Sequence, residues 1–324
     1  MEKWLSFIVP VYNAETYLAE CVESMLHQNM PQEQYEIILF DDGSTDNSLE
    51  IARNYAKQYS CIRVFTHANA GVAMTRNAAL AQSQGKYIWF VDSDDKIAEN
   101  ILPTMRQQIE TENLDILFFN ITRFNNKTQW IYIQLPETTV RTGIQLYNEY
   151  HCNVDSVNKI YRKSLFIDNH LQFKFRMAED AELMPRCYYH ANRVKMININ
   201  GYYYRVNENS LTHICNQERW TEYNLLCIES HIDYMFHHPA PRYWIRVLAY
   251  DTRLIFYLMP TFSIEKNFKD AVFNRLRTNL RKAFKSFPVI LSTDYIFLHI
   301  ATISPTLAIK ILQILRNLKK LVKK

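Results

Sequence analysis

"YEIILFDDGSTDNSLEIARNYAKQY", residues 35–59, decides the architecture. Its first six residues form an apolar run short enough to be a buried strand, interrupted only by Glu36. "DDGSTD" then turns the chain, with Ser44, Thr45 or Asp46 placed to cap a helix. Leu49, Ala52, Tyr55, Ala56 and Tyr59 follow at helical spacing and make one stripe. The pattern repeats outward in both directions. Upstream, "SFIVPVY" reads as a strand and Leu18, Cys21, Val22, Met25 and Leu26 as a helix face. Downstream come a strand in "CIRVFTH", a helix in "VAMTRNAALAQS" stopped at Gly85, and a fourth strand in "KYIWFVD". Strands separated by helices need crossover connections, so the fold class is α/β, with a mostly parallel sheet covered by helices on both faces. Such sheets bind ligands at the carboxyl ends of their strands.

Three polar clusters fall at those ends: residues 10–15 after the first strand, Asp41 and Asp42 after the second, and the acidic "DSDD" of residues 92–95 after the fourth. Adjacent carboxylates beside a buried strand repel, and they require a lysine or arginine, a divalent metal, or water. In D-x-D on an extended backbone alternate side chains leave on one side, so Asp92 and Asp94 can face a single hard cation such as Mg2+ or Mn2+. Only five glycines occur in the 324 residues. Neither a dinucleotide fingerprint nor a P-loop can be assembled from them.

Net charge is +4, but Lys310, Arg316, Lys319, Lys320, Lys323 and Lys324 crowd the last fifteen residues, which contain no acid. The remainder is slightly acidic, which argues against a nucleic-acid surface. With 48% hydrophobic residues the chain can build a substantial core. The six cysteines (Cys21, Cys61, Cys152, Cys187, Cys215, Cys227) show neither C-x-x-C nor zinc spacing, consistent with a reducing cytoplasm. The first residues, "MEKWLSFIVPVYN", lack a signal peptide's apolar stretch. The uncharged run 295–309 is shorter than the roughly 20 residues that span a bilayer.

Beyond residue 100 the alternation loosens. "ILPTMRQQIETE" reads as a helix, "DILFFNITRF" and "TQWIYIQL" as strands, and residues 142–190 as mixed helices and loops. "VKMININGYYYRVNENSLT" reads as a strand, a turn at Gly201 and a polar loop. From residue 216 the pattern is helical, with Trp220, Tyr223, Leu226 and Cys227 in register. The expected division is therefore 1–215 and 216–324.

"FIVPVYNAETYLAECVESML", "YEIILFDDGSTDNSLEIA", "NAGVAMTRNAAL" and "GKYIWFVDSDD", in this order and spacing, resemble the amino-terminal half of the family 2 glycosyltransferases, inverting enzymes of the GT-A fold. The likeness continues more loosely through "NKIYRKSLF", "AEDAEL" and "YYYRVNENSLT". It departs from the family at Ala73 and Thr75, where serine and alanine are frequent.

The resemblance implies a nucleotide-sugar pocket on Pro10, Tyr12, Asn13, Glu15, Asp41, Asp42, Asn69, Gly71, Arg76, Asp92 and Ser93, with Asp42 as acceptor for a uracil N–H and Asp41 as its neighbour or a loop brace. It implies metal ligation by Asp92 and Asp94, with Mn2+ or Mg2+ as cofactor, and a catalytic base in Asp180 of the Glu179-Asp180 pair. The implied reaction moves a hexose from a nucleoside diphosphate sugar, a UDP-sugar foremost, to a saccharide or lipid-linked saccharide acceptor in cell-surface polysaccharide synthesis.

Several residues keep a second reading. Arg76 has the alternative of neutralising Asp92 or Asp95, Lys159 and Arg205 of packing or solvation instead of a diphosphate contact, and Asp180 of serving only the helix dipole. Tyr202, Tyr203 and Tyr204 read as sheet packing. Residues 307–324 have an apolar face (Leu307, Ile311, Leu315, Leu318, Val322) opposite a basic one, so the helix suits either an anionic membrane surface or packing on the domain. A sugar nucleotidyltransferase shares carboxylate-bound metal but brings a glycine-rich, basic loop after strand one, which "PVYNAE" lacks. An inactive glycan- or membrane-binding subunit would not need Asp92, Asp94 and Asp180.

Overall fold

The computed structural model describes residues 3–125, 127–150, 152–206, 217–258, 266–285 and 292–322. The chain divides into two compact units, Met1–His213 and Ile214–Lys324. The expected boundary near 215 and the loop after Val206 fall on residues 207–216, outside the described ones.

The first unit alternates as its periodicity requires. It runs β1 (Leu5–Val11), α1 (Leu18–Leu26), β2 (Tyr35–Asp41), α2 (Ser48–Gln58), β3 (Ile62–Thr66), α3 (Val72–Gln82), β4 (Tyr87–Phe90), β5 (Lys96–Ile97), α4 (Leu102–Glu112), β6 (Ile116–Phe124), β7 (Gln129–Ile133), α5 (Gly143–Tyr150), β8 (Lys159–Arg162), α6 (Lys163–Asp168), α7 (Glu179–His190) and β9 (Val194–Arg205). All strands join one sheet in the order β3-β2-β1-β4-β8-β6-β9-β5, with β7 paired to β6. The first four are parallel, as crossovers through α1, α2 and α3 demand. Every residue of β1 and β2 is buried, because both faces of these strands are covered. Glu36, the acid inside the β2 run, is neutralised at the amino end of the sheet by Arg63 at 2.9 Å and by Ser6 Oγ at 2.6 Å.

The second half of the sheet is mixed. β8 runs antiparallel to both β4 and β6 and fills the place between them. It is four residues long, and "KIYR" carries too little periodicity to be distinguished from loop. β5 pairs antiparallel with β9, Lys96 opposite Tyr203 and Ile97 opposite Tyr202, which brings the acidic 92–95 turn against β9. Trp89 ties the halves together: its ring lies 5.5 Å from Phe7 and 4.9 Å from Phe119, and Nε1 donates to the Val157 carbonyl at 2.7 Å.

Three local expectations are corrected. Gly201 is no turn but part of the continuous β9. A Cβ there would come within 2.5 Å of the Phe119 ring, so glycine is required by close packing. Gly85 likewise does not cap α3, which ends at Gln82; it lies against the Leu5 and Ser6 backbone. The cap of α2 is not Ser44, Thr45 or Asp46 but Asn47, whose side chain makes no cap bond. Asp46 still accepts from the Ser48 N–H at 3.0 Å, and Glu15, from the β1 loop, accepts the Asn47 N–H at 3.0 Å. A cap supplied from thirty residues away leaves no local sequence signal.

The second unit is helical as expected: α8 (Gln217–His237), α9 (Pro241–Leu258), α10 (Lys266–Phe284), α11 (Thr293–Ile303) and α12 (Pro305–Val322). Its core is built from residues such as Leu225, Ile228, Ile232, Trp244, Leu248, Leu276, Leu280 and Leu298, all buried. The described cysteines, Cys21, Cys61, Cys152, Cys187 and Cys227, are buried free thiols. No helix among the described residues is long and apolar enough to cross a membrane. The side chains of α12 beyond Gln313 lie outside the described ones.

Candidate active site

Strand order β2-β1-β4 places the reversal of winding between β1 and β4, where a doubly wound sheet opens its crevice. β4 pairs with β1 only as far as Ile8 opposite Phe90, and the last bond runs from Val91 N to Ile8 O at 3.0 Å. Two residues on, Pro10 points its missing N–H toward the side that β4 has left, which is why a proline is tolerated in a buried central strand. The crevice is flanked by residues 12–15, with Tyr12 half exposed, and by the acidic turn.

The first two loops are stitched to each other. Asn13 takes a left-handed conformation (φ 48°), and its carboxamide oxygen accepts the Thr45 N–H at 2.8 Å. Glu15 accepts both the backbone and the side-chain N–H of Asn47, and Ser48 Oγ accepts from Ala14 N at 2.8 Å. Asp41 holds the turn, accepting from Gly43 N, Ser44 N and Thr66 Oγ1. Asp42 is buried, accepts the N–H groups of Ala70 (2.7 Å) and Gly71 (3.0 Å), and pairs with His67 Nε2 at 3.0 Å. Of the expected nucleotide contacts, Asn13, Glu15 and Asp41 therefore spend their side-chain oxygens on the loops themselves. Asp42 retains little acceptor capacity for a base. Asn69 is exposed beside Gly71, and its carboxamide oxygen accepts from Arg176 Nη2 at 3.1 Å, a partner with no sequence signal.

The acidic residues converge on one cation. Arg76, on α3 and 3% exposed, donates through Nη2 to Asp92 (2.6 Å) and through Nη1 to Glu179 (2.8 Å) and Asp180 (3.2 Å). Its guanidinium also lies over the Phe173 ring at 5.3 Å. Of the two readings of Arg76, the structure shows the ion pair with Asp92, and the same fork reaches the first turn of α7. The Asp180 carboxylate is held on its other oxygen by the Ser156 N–H at 2.9 Å. Burial pushes Glu179 up to about 7, reinforced by Asp180 and opposed by Arg76. Burial also raises Asp180, against the lowering pull of Arg76 and Ser156 N–H.

Within the turn the carboxylates play different parts. Asp95 is buried and structural: its oxygens accept from Tyr202 OH (2.7 Å) and Arg205 N (2.7 Å). Tyr202 OH in turn accepts from Asp92 N, so this tyrosine is sheet packing and a brace. Asp94 is pushed up to about 6 by burial and by neighbouring Asp92. Among the described residues its carboxylate is hydrogen-bonded by its own backbone N–H and by no other residue, whereas its carbonyl accepts from Arg205 Nε at 2.7 Å. Arg205 also pairs with Glu20 and lies over Phe124, and Lys159 is wholly buried; neither is free to meet a diphosphate. Ser93 is half-buried between the two acids.

A crowded carboxylate that no neighbouring residue neutralises suits a hard cation, and Asp94 together with the second oxygen of Asp92 would be the residues to hold one. Among the described residues no set of three or more His, Cys, Asp or Glu is placed to hold a metal. The pair would therefore serve an ion completed by substrate oxygens and water.

Residues 6–169 match the sequence profile of Glycosyl transferase family 2. The chain is 34% identical over 219 residues to the uncharacterized glycosyltransferase EpsJ of Bacillus subtilis, covering 65% of this chain and 63% of EpsJ. It is 31% identical over 205 residues to the poly(ribitol-phosphate) beta-N-acetylglucosaminyltransferase TarS of Staphylococcus aureus, covering 61% of this chain but 35% of TarS. The crystal structure of TarS 1–349 in complex with UDP-GlcNAc superposes with a TM-score of 0.75, covering 92% of this chain and 87% of that one at 24% identity. A mannosyltransferase from Pyrobaculum calidifontis, solved with GDP-Man and Mn2+, matches with a TM-score of 0.56 at 13% identity, over 94% of this chain and 88% of that one. These structures share the fold, a GT-A-like sheet followed by helices.

Proposed function

The chain belongs to Glycosyl transferase family 2, and from that premise we propose that it is a metal-dependent, inverting glycosyltransferase moving a hexose from a UDP-sugar to a saccharide acceptor in the assembly of a cell-surface polymer. The observation that carries the reading is the Arg76 cluster: one buried guanidinium joins the acidic turn of the β1/β4 crevice to a partly exposed carboxylate pair on α7. The donor reading draws on UDP-GlcNAc in TarS and the metal reading on Mn2+ in the mannosyltransferase. TarS, named for poly(ribitol-phosphate), supports a polymer as acceptor.

In this mechanism Asp180 takes the proton of an acceptor hydroxyl. The freed oxygen bonds to the anomeric carbon from the face opposite the diphosphate, and the carbon–oxygen bond to the diphosphate breaks with its electron pair leaving on the phosphate. A single displacement inverts the centre. Arg76 holds Asp180 and Glu179 in register with Asp92, so base and donor site are positioned by one side chain. A divalent ion, held by Asp94 and Asp92 when bound, would neutralise charge on the departing diphosphate.

The six basic residues of 310–324, with exposed Ile303 and Leu307 next to them, support a second element of the proposal, attachment of the carboxyl-terminal helix to the anionic inner face of the cell membrane. Equal co-sedimentation of full-length and 1–305 protein with anionic liposomes would reject it. The catalytic reading is tested by a thermal-shift panel of nucleoside diphosphates with and without Mn2+, followed by UDP release from UDP-hexoses. UDP stabilising the protein only with Mn2+ is the expected result; no stabilisation by any nucleotide overturns it.

A further inference from the structure

We propose that Lys159 is a positioning residue for the base: from beneath the site it fixes the 153–158 loop so that the Ser156 N–H holds Asp180 for proton abstraction. The inference rests on Asp180 being that base.

Lys159 Nζ lies fully buried and donates to Asn158 Oδ1 at 2.6 Å, to Asn153 Oδ1 at 3.3 Å and to the Asp155 carbonyl. All three of its protons are spent on residues of one loop; among the described residues no carboxylate lies at ion-pair distance from it, and Asp155 and Asp180 act on it only through space. An ammonium kept in the interior on neutral acceptors is costly, and a methionine would fill the same space without that cost. What the charge organises is a loop whose next contacts are equally specific. Tyr161 OH donates to the Ser156 carbonyl at 3.0 Å, Tyr188 OH to the Asn153 carbonyl at 2.6 Å, and Asn158 Nδ2 to the Phe119 carbonyl at 2.9 Å. The loop is thus pinned from β8, α7 and β6, and toward the site it presents the Ser156 N–H at 2.9 Å from Asp180 Oδ2.

The groups that face Asp180 are Arg76 from α3, Asp92 from the acidic turn, Glu179 and Cys187 from α7 itself, and Lys159 and Tyr161 from β8. The acids disfavour a carboxylate; Arg76, Lys159 and the Ser156 N–H favour it. Burial lowers Lys159 to about 8, so it remains cationic at neutral pH. Loss of its charge or of the clamp therefore raises the pKa of Asp180, and because the base acts deprotonated, the acidic limb of the rate profile moves to higher pH.

The test compares Lys159→Met and the milder Asn153→Ala with the native full-length enzyme, reading UDP release from the UDP-hexose that the native protein hydrolyses fastest, across pH 5 to 9. Lys159→Met is expected to lower kcat by about 10- to 100-fold with donor KM within about twofold, and to move the acidic limb of kcat upward by about one unit. Asn153→Ala should shift it in the same direction by less. UDP affinity measured by calorimetry verifies a folded donor site. A loss of kcat that only tracks the folded fraction, with the limb unmoved in both variants, overturns the inference. Asp180→Asn, assayed alongside, separates the two claims. Its retaining turnover sinks the base assignment, whereas its loss together with unmoved limbs sinks only the role of Lys159.

Discussion

Replacing Arg76 with methionine should destabilise the first unit by an amount that the geometry bounds. The guanidinium is 3% exposed, and its three partners, Asp92, Glu179 and Asp180, have side-chain exposures of 32%, 15% and 23%. Methionine keeps most of the stem's packing volume but leaves three carboxylates facing one another. Removing one partner of a buried ion pair costs about 3–5 kcal/mol, and residual water contact at the acids places this case near 3 kcal/mol. For a unit the size of Met1–His213 each kcal/mol moves the melting point by about 2–4 °C, so Tm should fall by about 6–12 °C. Arg76→Lys should fall between the two, because a point charge cannot serve three acids as a planar fork does. Calorimetric melts at pH 7.5 on the three proteins decide it. A methionine variant within about 2 °C of native would mean that solvent already screens the cluster, and the claim that Arg76 holds base and donor turn together would fail.

Asp180→Asn should reduce UDP-sugar turnover by about 10²- to 10⁴-fold while UDP binding, followed by calorimetry, stays close to native. Asp94→Ala should abolish the extra thermal stabilisation that Mn2+ gives in the presence of UDP, since it removes the carboxylate of the turn that no other described residue hydrogen-bonds. Gly85→Ala forces a Cβ onto the Leu5 and Ser6 backbone, where no side chain can yield. It should cost about 1–3 kcal/mol, read as a lower urea midpoint.

The order of β1 to β4 and the helices between them was legible because each is long enough to show its period, and because parallel pairing follows from crossover length. β5 and β8 were not, being two and four residues long, yet they carry the acidic turn and the 153–158 loop to the site. The same division runs through the candidate site residues. Asp92, Asp94 and Asp180 stand out by their motifs. Arg76 stood in "VAMTRN" with two readings open, and only the fold shows one guanidinium shared between residues 92 and 180. Asn13 and Glu15 look like ligand contacts because they sit on the right loop. That they brace the neighbouring turn depends on a pairing of loops some thirty residues apart, for which a single sequence contains no signal. Lys159 kept two readings, a diphosphate contact or a packing role; its burial between β4 and β6 follows from a strand that was itself invisible.

The acid cluster also fixes how stability should respond to pH. Asp94 and Glu179 are raised from ordinary values of 3.8 and 4.5 to about 6 and about 7. Between the unfolded and folded values the folded protein binds more protons, so unfolding becomes easier as pH rises. The penalty is absent below about pH 4, grows through pH 5 to 7 and is complete above it. The first unit should therefore melt a few °C higher near pH 5 than near pH 7.5, opposite to a protein whose carboxylates are satisfied by salt bridges. Glu179→Gln should flatten the upper part of that slope, because an amide cannot take up the proton. If the melting point instead rises steadily from pH 5 to 7.5, these carboxylates are stabilised as anions in the folded chain, and the electrostatic need for a cation at the acidic turn disappears with the slope.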